Sequence, residues 1–175
     1  MVAKWKAAIL EPAPVRFYLA AAFNDDEHFH NIKKRLVSEF GKIDFETNPD
    51  PLLPVPSLYS DHQFKSYRIV SFSRPIARQE LVDLRKRCLG LEYRFQKNGS
   101  PLVELDPGYV HIYGVVRTAL LEDFHRIYLY GGIYGETLYY YEKTSFRPWL
   151  HTPEFFRSPE IIVSFNDLQL IVNNS

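Results

Sequence analysis

The first long pattern in the chain is an apolar run, VRFYLAAAF at 15–23. Its odd positions are all apolar, and most of its even positions are apolar as well. A strand that is apolar on both faces is typical of the centre of a sheet. Alternating or aromatic-rich runs predict further strands, one of them at 42–47. We expect the following five predicted strands to share one sheet: 15–23, 64–72, 109–116, 124–130 and 133–142.

Two segments between the strands carry apolar residues at helical spacing. The first covers about 25–40, where Asn24 or Asp25 supplies an N-cap and Gly41 a residue just past the C-terminus. The second covers about 77–97 and has a clean apolar stripe of Leu81, Leu84, Cys88, Leu91 and Phe95. Near the end of the chain, TPEFF and SPEIIVSFNDL each place proline and glutamate after Thr or Ser. This arrangement is typical of a helix start and predicts a terminal helix.

The order of these elements is β-α-β-β-α-β, followed by more antiparallel strands and a helix. This order predicts an α+β fold with a mainly antiparallel sheet, helices on one face, a ferredoxin-like core and a C-terminal helix. A length of 175 residues suits a single domain, 1–175. Within it we expect an N-terminal lead-in at 1–13 and a proline-rich loop at 48–63. Prolines exclude a helix or a central strand in that loop.

Composition narrows the classes of function. The 21 Lys and Arg residues balance the 21 Asp and Glu residues, so non-specific binding to duplex nucleic acid is not expected. The lone Cys88 excludes an intramolecular disulfide and every Cys-x-x-Cys motif. No stretch has the length of a membrane span or of a signal-peptide core. We therefore expect a soluble, cytoplasmic protein with no membrane partner.

A two-glycine turn, Gly131-Gly132, joins two aromatic strands. If it is a two-residue primed turn, the register of the hairpin follows by counting back from it. In that register His125 and Glu136 lie diagonally on one face, and Arg126 lies on the other. The pair suits acid–base or phosphate chemistry, although such cross-strand pairs are also common structural contacts. A bulge would shift the register by one residue and bring Arg126 to Glu136 instead.

A second turn is predicted at Asp106-Pro107-Gly108, because Pro-Gly suits the central positions of a type II turn. Such a turn would place Tyr109 at the first residue of the next strand. If that strand lies beside the strand of His125, several polar side chains meet at one partly open pocket. Its expected members are Asp106, Tyr109, His125 and Glu136, with Arg126 or His111 at the rim.

Motifs for catalysis and metal binding are missing from the sequence. His62, His111 and His125 have no metal-ligand spacing, so no metal and no cofactor is predicted. The segments starting at His111 and His125 resemble the paired His-x-Ser/Thr motifs of two-histidine phosphoesterases, but both lack the Ser or Thr. Gly-rich phosphate loops, nucleophile elbows and His-Glu-x-x-His are also absent from the sequence. Whether the protein is an enzyme stays open.

Several short segments, taken together in order and spacing, resemble one family: PVRFYLAAAF, FGKID, LDPGY, HRIYL, GIYGET and the PW before the terminal helix. They are similar to the bacterial family catalogued as domain of unknown function 4416, from about Pro14 to about Leu168. The chain departs from the family pattern in the loop at 50–63 and at 113–121, where Arg117 stands in for a lysine. It also has Gly135 where alanine is usual.

The resemblance implies no reaction and no ligand, but it implies a signature surface. That surface consists of Asp106, Tyr109, His125, Arg126, Tyr134 and Glu136. With His111 added from the strand pattern, these seven residues are the candidate ligand-binding residues.

Two classes of function remain open. In the first, the protein is a non-catalytic interaction module whose Tyr-rich sheet docks a protein partner or a second copy of itself. In the second, His125, Arg126 and Glu136 hold an anionic small molecule, such as a nucleotide, an RNA-like ligand or a phosphate. A balanced charge and the missing catalytic motifs favour the interaction module. A pocket that exposes His125 and Glu136 at its mouth would favour the second class, and burial of both under the terminal helix would favour the first.

Overall fold

A computed structural model describes residues 10–47 and 54–173 of the chain. Most of the expected lead-in (1–9) and the first part of the proline-rich loop (48–53) lie outside these ranges. The described strands, in chain order, are β1 (Val15–Phe23), β2 (Ile43–Thr47), β3 (Val55–Pro56), β4 (Gln63–Phe64), β5 (Ser66–Ile76), β6 (Gln96–Lys97), β7 (Ser100–Pro101), β8 (Val103–His111), β9 (Gly114–Ala119), β10 (Ile127–Tyr130), β11 (Ile133–Glu142) and β12 (Ser145–Pro148). The described helices are α1 (Asp26–Phe40), α2 (Leu81–Arg94) and α3 (Pro159–Asn173).

The main sheet is antiparallel and has the strand order β10-β11-β9-β8-β1-β5-β2, with β12 also paired to β11. Its second half, β8-β1-β5-β2, carries the first four long strands of a β-α-β-β-α-β unit in the order 4-1-3-2. This is the ferredoxin-like arrangement, so the predicted fold class is confirmed. As its apolar pattern predicts, β1 lies at the centre between β5 and β8.

Local signals set the ends of α1. The Asp25 carboxylate accepts a hydrogen bond from the Glu27 backbone N–H at 2.7 Å, which caps the helix start. Gly41 follows the last turn with φ +100°, a region that favours glycine, and donates its N–H to the Val37 carbonyl. The second helix is shorter than predicted, because a 3₁₀ turn at Arg78–Glu80 precedes α2.

Helices cover both faces of the sheet. Buried side chains of α1 and α2, including Phe29 and Leu84, join the odd-numbered residues of β1 in one apolar core. On the opposite face, α3 and a 3₁₀ turn at Glu154–Arg157 pack against Tyr18, Ala20 and Ala22 of β1. The two helices predicted between the strands, α1 and α2, therefore share one face as expected. The terminal helix α3 lies on the other face. None of the three described helices is long and apolar enough to cross a membrane.

Two details of the predicted strands are wrong. The strand predicted at 109–116 is divided, because His111 pairs with Gly114 across a tight connection between β8 and β9. The segment Asp106-Pro107-Gly108 is not a turn but the middle of β8, paired with β1 along its whole length. Pro107 is tolerated there because the pairing with β9 ends at Gly108, and its carbonyl accepts a hydrogen bond from the Thr118 hydroxyl at 3.3 Å.

Candidate functional site

A buried ionic network lies where β8, β9 and β11 run side by side. Arg117 of β9 is directly opposite Gly108 on one side and Glu136 on the other. Its guanidinium donates two hydrogen bonds to Asp106, Nε to Oδ2 at 2.7 Å and Nη2 to Oδ1 at 3.2 Å. Its Nη1 donates to Glu136 Oε2 at 3.2 Å. These three residues are at most 3% exposed, so a single arginine bridges two buried carboxylates.

The surroundings of Arg117 keep it charged. Burial alone would lower the pKa of its guanidinium, but Asp106, Tyr59 and Glu136 together raise that pKa above its ordinary value. The Tyr59 hydroxyl accepts a further hydrogen bond from Arg117 Nη2 at 3.4 Å. Burial raises the pKa of that hydroxyl, so Tyr59 stays neutral. Arg117 is therefore the fixed positive charge of this network.

The hairpin of β10 and β11 brings two more residues to Glu136. Gly131 and Gly132 have φ +61° and +78°, as a type I′ turn requires, and Tyr130 pairs with Ile133. The predicted turn is thus confirmed. A bulge follows between Tyr128 and Tyr130, after which Ile127 pairs with Gly135 and not with Glu136.

This bulge makes the predicted segregation of Arg126 wrong. Arg126 Nε donates to Glu136 Oε2 at 3.0 Å, and His125 Nε2 lies 3.2 Å from Glu136 Oε1. Both residues precede β10, in a turn closed by the Arg126 N–H and the Asp123 carbonyl at 3.1 Å. Two guanidiniums therefore hold Oε2 of Glu136, and an imidazole faces its Oε1.

A second histidine lies against the first. The ring of His151 stacks on the ring of His125, with centroids 4.2 Å apart and an interplanar angle of 20°. His151 Nε2 lies 3.0 Å from the Thr137 carbonyl, which can only accept, so this nitrogen carries a proton. Within the described ranges, His125, Glu136 and His151 each offer a ligand atom, and the three atoms lie within 4.8 Å of one another.

The other candidate residues are divided by the sheet. Tyr109 and His111 alternate with Asp106 along β8 and point to the α1 and α2 face, away from Arg117, so the predicted convergence is wrong for these two. Burial, followed by the charge of Arg78, lowers the pKa of His111. Tyr134 shares the face of Glu136 but packs on Tyr128, with ring centroids 5.4 Å apart. The cavity beside Asp106 has a volume of ≈ 10 Å³, which is room for one water molecule and not for an organic ligand.

Three residues of this site were not candidates from the sequence: Tyr59, Arg117 and His151. Arg117 lies 11 residues from Asp106 and 19 from Glu136, so only the strand order reveals the contacts. One signal for it is its place in the middle of an otherwise uncharged strand, GVVRTA. His151 carries no motif, and it reaches His125 because the connection after β12 folds back, where the Thr152 hydroxyl donates to the Leu138 carbonyl at 2.7 Å.

Comparison with known proteins gives a family and no function. The family described as Domain of unknown function (DUF4416) matches residues 13–171, which is most of the chain, so the protein belongs to that family. No curated protein and no solved structure matches the chain.

Proposed function

From membership of the DUF4416 family no activity follows, so we propose from the surface itself that the protein is an interaction module that pairs with a second copy of its own chain. The observation that carries this proposal is the exposure of β10. All four of its residues are exposed, although they are Ile, Tyr, Leu and Tyr. In the described part of the chain, β10 pairs only with β11 and forms the edge of the main sheet.

An apolar rim surrounds this edge. We define the apolar rim as Leu121, Phe124, Ile127, Tyr128, Trp149 and Leu150, all of them exposed. Phe124 is 92% and Leu150 97% exposed, values that are unusual for side chains of this size. Ring contacts connect the rim: Phe124 to His125 at 4.9 Å, His125 to His151 at 4.2 Å, and His151 to Trp149 at 6.2 Å. Several large apolar side chains exposed around one sheet edge mark an interaction site.

A second copy suits this edge for two physical reasons. An edge strand can pair with its own copy in antiparallel fashion about a twofold axis, which brings the two rims together in one self-complementary interface. The chain has a formal net charge of zero, so long-range repulsion does not oppose the approach of two copies. The exposed rim side chains offer on the order of 500 Å² per copy, and about 1,000 Å² in total is the size at which specific interfaces begin.

The network at Glu136 favours this class over an anion site. Glu136 is buried and the His125 side chain is only 10% exposed, so neither is offered at the mouth of an open pocket, which supports the interaction module. Both guanidiniums near His125 already donate to carboxylates, so the cluster has little positive charge left for an anionic ligand. In this proposal His125, Arg126, Tyr134 and Glu136 support the rim from below. We further propose that the module is one domain in the cytoplasm, in keeping with its single buried free thiol, Cys88.

The test is the oligomeric state in solution, measured by analytical ultracentrifugation over a range of micromolar concentrations with a chelator present. We expect the wild-type chain to sediment as a dimer and the Ile127→Lys variant as a monomer with an unchanged melting temperature, because Ile127 is largely exposed. Tyr93→Ser, which removes an equally exposed aromatic ring from α2, is the matched control and should stay dimeric. A monomeric wild-type chain would exclude the proposal.

A further inference from the structure

We infer that His125, Glu136 and His151 form a binding site for a divalent transition-metal ion, an inference independent of self-association. The basis is their arrangement: two imidazoles and one carboxylate, drawn from three separate segments, with one ligand atom each within 4.8 Å of the others. Two histidines with one carboxylate are ligands that suit zinc and its neighbours in the first transition series.

Two of the three ligands, His151 and Glu136, accept or donate hydrogen bonds on the side away from the proposed metal, and these bonds orient them. The Thr137 carbonyl fixes a proton of His151 on Nε2, which leaves Nδ1 as the nitrogen that can bind a metal. Arg117 and Arg126 both donate to Oε2 of Glu136, which turns Oε1 toward the imidazole of His125. Partners of this kind orient ligands in known metal sites.

In the described part of the chain, one ring nitrogen of the third ligand, His125, has no hydrogen-bond partner, while the other faces Glu136. The His125 side chain is only 10% exposed, and its buried Nδ1 makes no hydrogen bond within the described ranges. The nearest carboxylate, Asp123 Oδ1, is 3.7 Å from that Nδ1, beyond hydrogen-bond distance. A modest approach of Asp123 would orient the ring from the outside while Nε2 faces Glu136.

Binding of a metal ion would change both the net charge of the site and the orientation of one histidine ring. Asp106 and Glu136 are cancelled by Arg117 and Arg126, so a divalent ion adds net positive charge that an anionic ligand in an open coordination position would offset. The two rings are stacked, so their in-plane lone pairs lie in two nearly parallel planes. A tilt of one ring is therefore needed before both lone pairs meet one ion. His151 is partly exposed, which leaves it room to tilt.

The experiment is isothermal titration of chelator-treated protein with ZnCl₂ at neutral pH. We expect one saturable Zn²⁺ site per chain, no binding of MgCl₂, and at least tenfold weaker Zn²⁺ binding in His151→Ala. The matched control is His111→Ala, which removes a histidine from the opposite face of the sheet and should bind like the wild-type chain.

A second variant and a second signal keep the result decisive. His151→Gln can still donate to the Thr137 carbonyl, so it retains the structural contact and should also lose at least tenfold in affinity. The visible absorption of bound Co²⁺ should report nitrogen ligation in the wild-type chain and change in both His151 variants. Unsaturable Zn²⁺ binding, wild-type affinity in His151→Gln, or an equal loss in His111→Ala would overturn the inference.

Discussion

The two halves of the sheet are held together by different forces. In β8-β1-β5-β2 apolar side chains are buried on both faces, and every residue of β1 except Arg16 is buried. In β10-β11-β9 the contact with the rest of the sheet includes a buried ion cluster, and the outermost strand is exposed at all four positions. The ferredoxin-like half therefore supplies most of the apolar core, and the appended half presents the surface on which both proposals rest.

Substitution of Arg117 is expected to have the largest effect on the contact between the two halves. Arg117→Met leaves Asp106 and Glu136 as buried carboxylates without their shared partner, and we expect a loss of about 3–5 kcal/mol in the free energy of unfolding. Denaturant unfolding measures the loss, and hydrogen exchange should show it first in β9 and β11. Arg74→Met, which removes an exposed ion pair with Glu80, should cost less than about 1 kcal/mol. Equal effects of the two variants would mean that the network does not join the halves.

The pH dependence of stability tests the ferredoxin-like half. Burial, partly offset by Arg85 and the Leu105 N–H, raises the pKa of Glu92 from 4.5 to about 7. The folded chain thus holds a proton that the unfolded chain releases between these values, and stability from this group is present below pH 4.5 and lost as the pH rises through 7. We expect the free energy of unfolding to fall by about 3 kcal/mol from this group between pH 5 and pH 8.

Denaturant titrations at the two pH values measure this slope, with two variants as references. Glu92→Gln should flatten it. Glu39→Gln, which changes an exposed carboxylate paired with Arg87, should leave it as in the wild-type chain. A slope that survives Glu92→Gln would assign the proton to another group.

Gly108 sharpens the comparison at the boundary between the halves. A Cβ there would lie 2.3 Å from the Val116 carbonyl oxygen and 2.5 Å from the ring of Tyr18, so Gly108→Ala should cost about 1–3 kcal/mol. In Gly135→Ala the new Cβ meets only Leu129, at 3.5 Å, and we expect a change within about 0.5 kcal/mol of the wild-type value, with stabilisation the favoured sign. Thermal melts of both variants check this contrast, and a large loss in Gly135→Ala would contradict it.

Sequence patterns predicted the elements far better than their partners. The central position of β1 follows from an apolar pattern that only a doubly covered strand explains, and the ends of α1 follow from Asp25 and Gly41. The Gly131-Gly132 turn was also predictable, because few residue pairs adopt two positive φ values. Each of these signals is local, so the sequence carries it in full.

The errors concern strand pairing and register, which depend on contacts between residues that are distant in the sequence. Asp106-Pro107-Gly108 has strong turn chemistry, but pairing with β1 on one side outweighs it. The bulge near Leu129 has no sequence signature, yet it moves Arg126 onto Glu136. The candidate site was therefore half predicted: Asp106, His125 and Glu136 lie together, while Tyr109 and His111 lie across the sheet.

The central position of β1 also has a consequence for folding during synthesis on the ribosome. Its partners are remote in sequence, since Val15 pairs with Ile76 and Arg16 with Val110. The ribosome makes β1 first, and roughly five seconds or more of synthesis at about 5–20 residues per second must pass before β8 exists to cover its second edge. During that time the nine-residue strand β1 has an unpaired edge. We therefore expect the nascent chain to bind chaperones that hold extended apolar segments.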